Sequence, residues 1–203
     1  MKRFGPSDLA ALSADKFFTA LAAALSDGGR AAAYFASPAG GGRRLCAAVA
    51  HDRAGRLDLL LSEPLSGGFP SLTPRFPQLH LFEREICELS GLRPEGHPWL
   101  KPVRYPAGGP DPGTGDFFRV HGPEVHEVAV GPVHAGVIEP GHFRFQCHGE
   151  NVFHLEIALG YQHRGVEKAL SAGPDARSIH YAETLAGDTT IGHAWAYCGA
   201  VEA

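Results

Sequence analysis

Residues 83–98, Glu83-Arg84-Glu85-Ile86-Cys87-Glu88-Leu89-Ser90-Gly91-Leu92-Arg93-Pro94-Glu95-Gly96-His97-Pro98, decide how the first half of the chain is read. Phe82, Ile86 and Leu89 recur at helical spacing, and Gly91 follows where a left-handed C-cap is needed. The stretch predicts a helix entered through a loop from Ser71, with an acidic face, and then a turn that presents His97. Taken alone, Glu83-Arg84-Glu85 reads as a solvated charged face; the whole string is more specific.

Toward the N-terminus, Ala14, Phe17, Phe18, Leu21 and Leu25 predict an amphipathic helix over about Ser13–Leu25, closed by Asp27-Gly28-Gly29. Strand-like runs at Ala31–Phe35, Arg44–Ala50 and Arg56–Ser62, with turns at Pro38–Gly42 and His51–Gly55, predict a meander. Toward the C-terminus, Pro102–Gly115 is rich in Pro and Gly and reads as a connection. Beyond it, Glu124–Val130, His142–Gln146 and Val152–Ala158 predict a small antiparallel sheet. Tyr161–Leu170 and Ser178 to the C-terminus predict helices. The last is rich in Ala, Gly, Ser and Thr, which suits close helix packing. The expected fold class is α+β, with domains at 1–101 and 120–203 and a linker at 102–119. The chain stops at Ala200-Val201-Glu202-Ala203 without a cap, so a longer protein is expected.

Composition narrows the function. A length of 203 residues with 44% hydrophobic content supports one core or two. A net charge of -4 without a run of like charges argues against nucleic acid as partner. No stretch approaches the roughly 20 apolar residues that cross a bilayer, and no apolar region follows Met-Lys-Arg-Phe-Gly-Pro as in a secretory signal. Cys46, Cys87, Cys147 and Cys198 form no C-x-x-C pair, and a reducing, cytoplasmic compartment is expected. Phosphate-loop, nucleophile-elbow and H-E-x-x-H patterns are absent from the sequence.

Three strings carry candidate chemistry: Gly131-Pro132-Val133-His134-Ala135-Gly136, Glu139-Pro140-Gly141-His142-Phe143-Arg144-Phe145, and Gly160-Tyr161-Gln162-His163-Arg164-Gly165-Val166-Glu167-Lys168. Gly and Pro bend a loop that presents His134 and His142, and imidazole passes protons near neutral pH. The alternative for each is a histidine that caps a turn, and that is the reading for His51, His80 and His126.

With Phe69-Pro70-Ser71-Leu72 ahead of it, the 83–98 string resembles the signature of the thirty-kilodalton subunit of respiratory complex I. It departs at Ser90, where an aromatic is usual, and in its short tail after Pro98. The three later strings resemble the forty-nine-kilodalton subunit of complex I. They are still more similar to the large subunit of membrane-bound, formate-hydrogenlyase-type [NiFe] hydrogenases, where both parts are fused in this order. The resemblance covers Phe69–Leu100 and Val120–Ala203.

The resemblance implies a thirty-kilodalton-like domain followed by a short sheet and the first helices of a hydrogenase-large-subunit-like bundle. It implies that His142 and His134 line a quinone-head cavity, and that Arg164, with His163, lies near the [4Fe-4S] cluster of a neighbouring small subunit. A salt bridge is the alternative for Arg164. Glu83, Arg84, Glu85 and His97 are the expected subunit-contact residues. Such hydrogenases hold nickel with two C-x-x-C pairs, the first within E-R-x-C-G-x-C. Here Glu183 and Gly187 remain, but Ala186 and Thr189 occupy the cysteine positions. Neither offers a thiolate, so no nickel site is expected. The quinone-facing tyrosine of complex I would align near Gly187. Asp188 and Glu183 are candidate proton-handling carboxylates if buried; neighbouring hydroxyls satisfying Asp188 are the alternative. The expected function is that of an electron-transfer subunit meeting an iron–sulfur subunit and integral membrane subunits. It would sit peripherally on the inner face of the membrane and bind no cofactor within this stretch. The alternative is a non-catalytic scaffold of such a complex.

Overall fold

The computed structural model describes residues 9–111, 117–136 and 138–202. Residues through Asp111 form one compact unit and those from Phe117 another. In the first, α1 (Ala14–Ser26) lies beside an antiparallel meander of β1 (Arg30–Ala39), β2 (Gly42–His51) and β3 (Arg56–Leu61). Alternation along β2 turns Leu45, Ala47, Val49 and His51 inward. Phe17, Phe18, Leu21 and Leu25 of α1 join Tyr34, Leu45, Ala47 and Val49 in one apolar cluster. Phe18 stacks on Phe69 with centroids 5.9 Å apart.

Phe69 belongs to β4 (Gly68–Pro70), which pairs in parallel with β5 (Arg93–Glu95). Three-residue strands leave no alternation to find, so this pair is not foreshadowed by the sequence pattern. Between them runs α2 (His80–Ser90), ended by Gly91 at φ 76°.

The burial of α2 differs from the apolar stripe expected. Leu89 is 55% exposed, while Glu83, Arg84 and Ile86 are buried. Glu83 explains the rotation. Its carboxylate accepts from the Ser71 hydroxyl, from the Leu72 N–H at 2.8 Å and from the Thr73 hydroxyl at 2.7 Å. Arg84 donates to the carbonyls of Lys101 (2.7 Å) and Pro102 (2.9 Å), with its guanidinium 4.7 Å from the Trp99 ring centre. Glu85 pairs with Arg104 at 2.6 Å. Glu88 accepts the N–H groups of Val103, Arg104 and Tyr105 at 2.8–3.0 Å. The charged side of α2 therefore faces its own loops, and Pro102–Tyr105 is fixed rather than a free linker. Residues 112–116 of the expected linker lie outside the described residues.

In the second unit, β6 (Val125–Val130), β7 (Gly141–His148) and β8 (Asn151–Leu159) form an antiparallel sheet in that order. Register places Val128 and Leu155 opposite Phe145, and Val130 and Ile157 opposite Phe143, so one face is apolar. The other carries Glu127, Arg144, Gln146 and Glu156.

The expected helices are shorter. Helix α3 spans Val166–Leu170 only, because Gly160, Tyr161 and Gly165 all have positive φ. The predicted C-terminal helix is broken into α4 (Ser178–Glu183), a 3₁₀ turn (Gly187–Thr189) and α5 (Thr190–Glu202). Extended backbone at Ala186 and the weak helix formers Gly187, Asp188, Thr189 and Thr190 account for the break. Helix α5 buries none of its residues, with Ile191 82% and Trp195 79% exposed. Among the described residues no helix is long and apolar enough to cross a membrane.

Replacing Glu83 with Ala strands two hydroxyls and an N–H in the interior. The expected loss is about 3 kcal/mol for E83A and roughly half that for E83Q, which keeps one acceptor oxygen. Urea unfolding of the chain reads both, and an E83A loss below about 1 kcal/mol would remove Glu83 as the anchor of α2.

Candidate functional site

Candidate residues spread from position 134 to 188 come from three segments of the second unit. The first is the connection that enters β7. Gly131 has φ 84°, and a Cβ there would meet the Gly141 carbonyl oxygen at 2.1 Å, so only glycine fits this turn. His134 Nε2 lies 2.8 Å from that same carbonyl and donates to it, which makes His134 the ring that holds the turn. Its ring centre is 6.0 Å from that of Phe143. His142 is on β7 itself, half-buried, with its ring centre 6.4 Å from that of Tyr161.

Tyr161 opens the second segment, Gly160–Gly165, which leaves β8. His163 is exposed. Arg164 Nη2 donates to the Thr184 carbonyl, and its Nη1 lies 3.8 Å from Glu139 Oε1. The third segment is the break between α4 and α5. There the Gly187 N–H donates to the same Glu139 oxygen at 3.3 Å. Glu139, Arg164, Thr184 and Gly187 thus link all three segments. Glu139 was quoted in the motif string, yet nothing in that string marks its partners, which lie 25 and 48 residues away.

Glu183 and Asp188 belong to this third segment. Glu183 is half-exposed and faces His180 Nδ1 at 3.2 Å one turn back. The Asp188 side chain is exposed and makes no hydrogen bond or ion pair with the described residues. Ala186 and Thr189 stand across one turn, closed by the Thr189 N–H to the Ala186 carbonyl at 3.1 Å. The turn presents a methyl and a hydroxyl, and neither is a thiolate donor. Cys147 is buried on β7 and Cys198 is on α5, neither of them on this turn.

The expected contact residues of the first unit are engaged within it. Glu83 and Arg84 are buried, and Glu85 is paired with Arg104. His97 Nε2 lies 3.3 Å from the His80 carbonyl while its Nδ1 accepts the Trp99 N–H at 3.1 Å. One neutral tautomer, protonated on Nε2, satisfies both. Burial first, then Arg84 and His97, lowers the pKa of His80. Glu88, which orders the following loop, was not singled out in the sequence; its three-residue offset from Glu85 is the signal that could have found it.

The polar face of the second sheet is tightly paired. Arg144 meets Glu127 at 2.7 Å and lies 3.7 Å from the Phe117 ring centre, and Gln146 donates to Glu127 at 2.6 Å.

Residues 45–116 match the family described as respiratory-chain NADH dehydrogenase, 30 Kd subunit. Over 157 residues, 66% of this chain, the sequence is 32% identical to formate hydrogenlyase subunit 5 of Escherichia coli (strain K12). Hydrogenase-4 component G of the same organism is 31% identical over 156 residues, again 66% of this chain. Membrane-bound hydrogenase subunit alpha of Pyrococcus furiosus is 30% identical over 76 residues, 37% of this chain and 18% of its own length. The chain spans 28% of the length of each of the two Escherichia coli relatives.

The Arg144 hydrogen bond, ahead of the one from Gln146, holds the Glu127 carboxyl below its ordinary 4.5. A lowered carboxylate pKa contributes stability that is present above the ordinary value and lost as pH falls through the folded one. A carbon-detected NMR titration should place the Glu127 midpoint below 4.5 and return it upward in R144Q. Identical midpoints in both proteins would show that the pair does not hold charge in solution.

Proposed function

The chain is a homologue of membrane-bound hydrogenase and complex I-type subunits, and from that premise we propose that it serves in a membrane-associated electron-transfer complex. In this reading the first unit is a thirty-kilodalton-like domain. The second is the start of a hydrogenase-large-subunit-like domain, with α3–α5 as the first helices of its bundle. The observation that carries the reading is Arg164, pinned through Thr184 and Glu139 in a turn that joins three motif-bearing segments.

A cation fixed in this way suits a site beside an iron–sulfur cluster of a small subunit, where it favours the electron-rich state and raises the reduction potential. Imidazole at His142 suits proton transfer to a quinone or another electron acceptor near neutral pH. His134, bonded to a carbonyl, positions the loop. Ala186 and Thr189 leave nickel without its first pair of thiolates, so hydrogen chemistry at a nickel centre is not part of this reading. Contacts to integral membrane subunits would keep the protein peripheral, on the cytoplasmic face.

A second reading, a non-catalytic scaffold of the same complex, is favoured by the absence of both thiolates and of a phenol at Gly187. His142→Ala in the complex purified with its partners separates the two. Electron transfer falls by about 100-fold with assembly intact if His142 handles protons, and is unchanged if the subunit is a scaffold. Elemental analysis of the same complex is expected to give iron without stoichiometric nickel; stoichiometric nickel would overturn the thiolate argument.

A further inference from the structure

We propose that Glu139 is the positioning residue for Arg164, coupling it to the turn at Gly187. The inference rests on the reading of Arg164 as a cluster neighbour only for its consequence, not for its geometry. One oxygen, Glu139 Oε1, receives the Gly187 N–H at 3.3 Å and faces Arg164 Nη1 at 3.8 Å. Arg164 Nη2 in turn bonds the Thr184 carbonyl, three residues before Gly187. The ring of contacts therefore runs from Glu139 to Arg164, to the end of α4, along the turn and back to Glu139.

Each part of this ring is placed by local chain chemistry. Glu139 precedes Pro140, which restricts it to extended backbone, and Gly141 then begins β7. Arg164 stands in a turn bounded by Gly160 at φ 107° and Gly165 at φ 68°, conformations that other residues rarely adopt. The turn at 184–187 offers a carbonyl to Arg164 and an N–H to Glu139. A neutral acceptor in place of Glu139 would keep the Gly187 N–H bond and lose the ionic contact with Arg164.

Glu139 is 40% and Arg164 42% exposed. Ion pairs at that exposure contribute little to stability. What the pair sets is direction: the long, flexible arginine side chain is confined by a carbonyl on one side and a carboxylate on the other. Glu139 thereby decides where the positive charge sits, without touching anything that the charge acts upon.

The test has two arms. In the chain itself, E139A is expected to speed Gly187 amide exchange roughly tenfold, the effect of losing one hydrogen bond, and to lower the order of the Arg164 Nε–H bond by NMR. E139Q keeps Gly187 protected and still releases Arg164. Unchanged Arg164 order in both variants overturns the proposal. In the complex purified with its partner subunits, redox-poised EPR reads the cluster midpoint. R164Q should lower it, E139Q should lower it by less, and E139Q should add nothing in the R164Q background. A further fall in the double variant overturns positioning, since Glu139 would then act independently. If R164Q itself leaves the midpoint unmoved, the cluster-neighbour reading fails, and the NMR arm alone decides the role of Glu139.

Discussion

The first unit depends on one buried carboxylate. Burying Glu83 without partners would cost several kcal/mol, and three donors from the single loop 71–73 offset that cost. The same contacts tie that loop to α2, and the loop follows β4 directly. With α2 fixed in rotation, its next residues fall on 101–105, and β5 is brought beside β4. The Glu83 charge is also felt at Tyr34. Its hydroxyl is buried without a hydrogen-bond partner among the described residues, and burial, with the Glu83 charge second, raises its pKa well above the ordinary value.

Sequence periodicity carried the parts of this fold that apolar burial controls. Helix α1, the meander and the second sheet lie within a few residues of their expected limits, because alternation and 3.6-residue spacing record which side meets a core. Where polar contacts control, periodicity misled. Leu89 looks like a core residue and is exposed; Glu83 looks solvated and is buried. Hydrogen bonds to loops 10–19 residues away leave no period in a sequence. The same holds for Glu139, whose partners became visible only when three separated turns were brought together.

The second unit shows a different limit. Its sheet alternates cleanly, and its polar face is the covered one: Phe117 lies on Arg144, Phe118 lies 4.4 Å from His154, and the Val120 N–H reaches Gln146. The apolar face retains exposed Val128, Val130, Leu155 and Ile157. Alternation identifies two faces without saying which is covered, and small-residue content in 178–203 does not by itself make a continuous helix. Backbone breaks at Ala186 and Gly187 set the limits instead.

The register of the first sheet bears on how this protein can be recombined with its relatives. The family match begins at Leu45, in the middle of β2. The matched segment therefore starts inside a strand that is already paired, Leu45 opposite Ala36 on β1. Helix α1, which contributes four buried residues to the core, lies wholly upstream. Farther upstream still, Leu12 is clasped by the backbone of Leu61 and Glu63. A chimera spliced at the start of the matched segment would sever a sheet and leave part of the core in each parent. One spliced before Leu12 and after Tyr105 would carry over α1, the whole meander and the α2 loop contacts together.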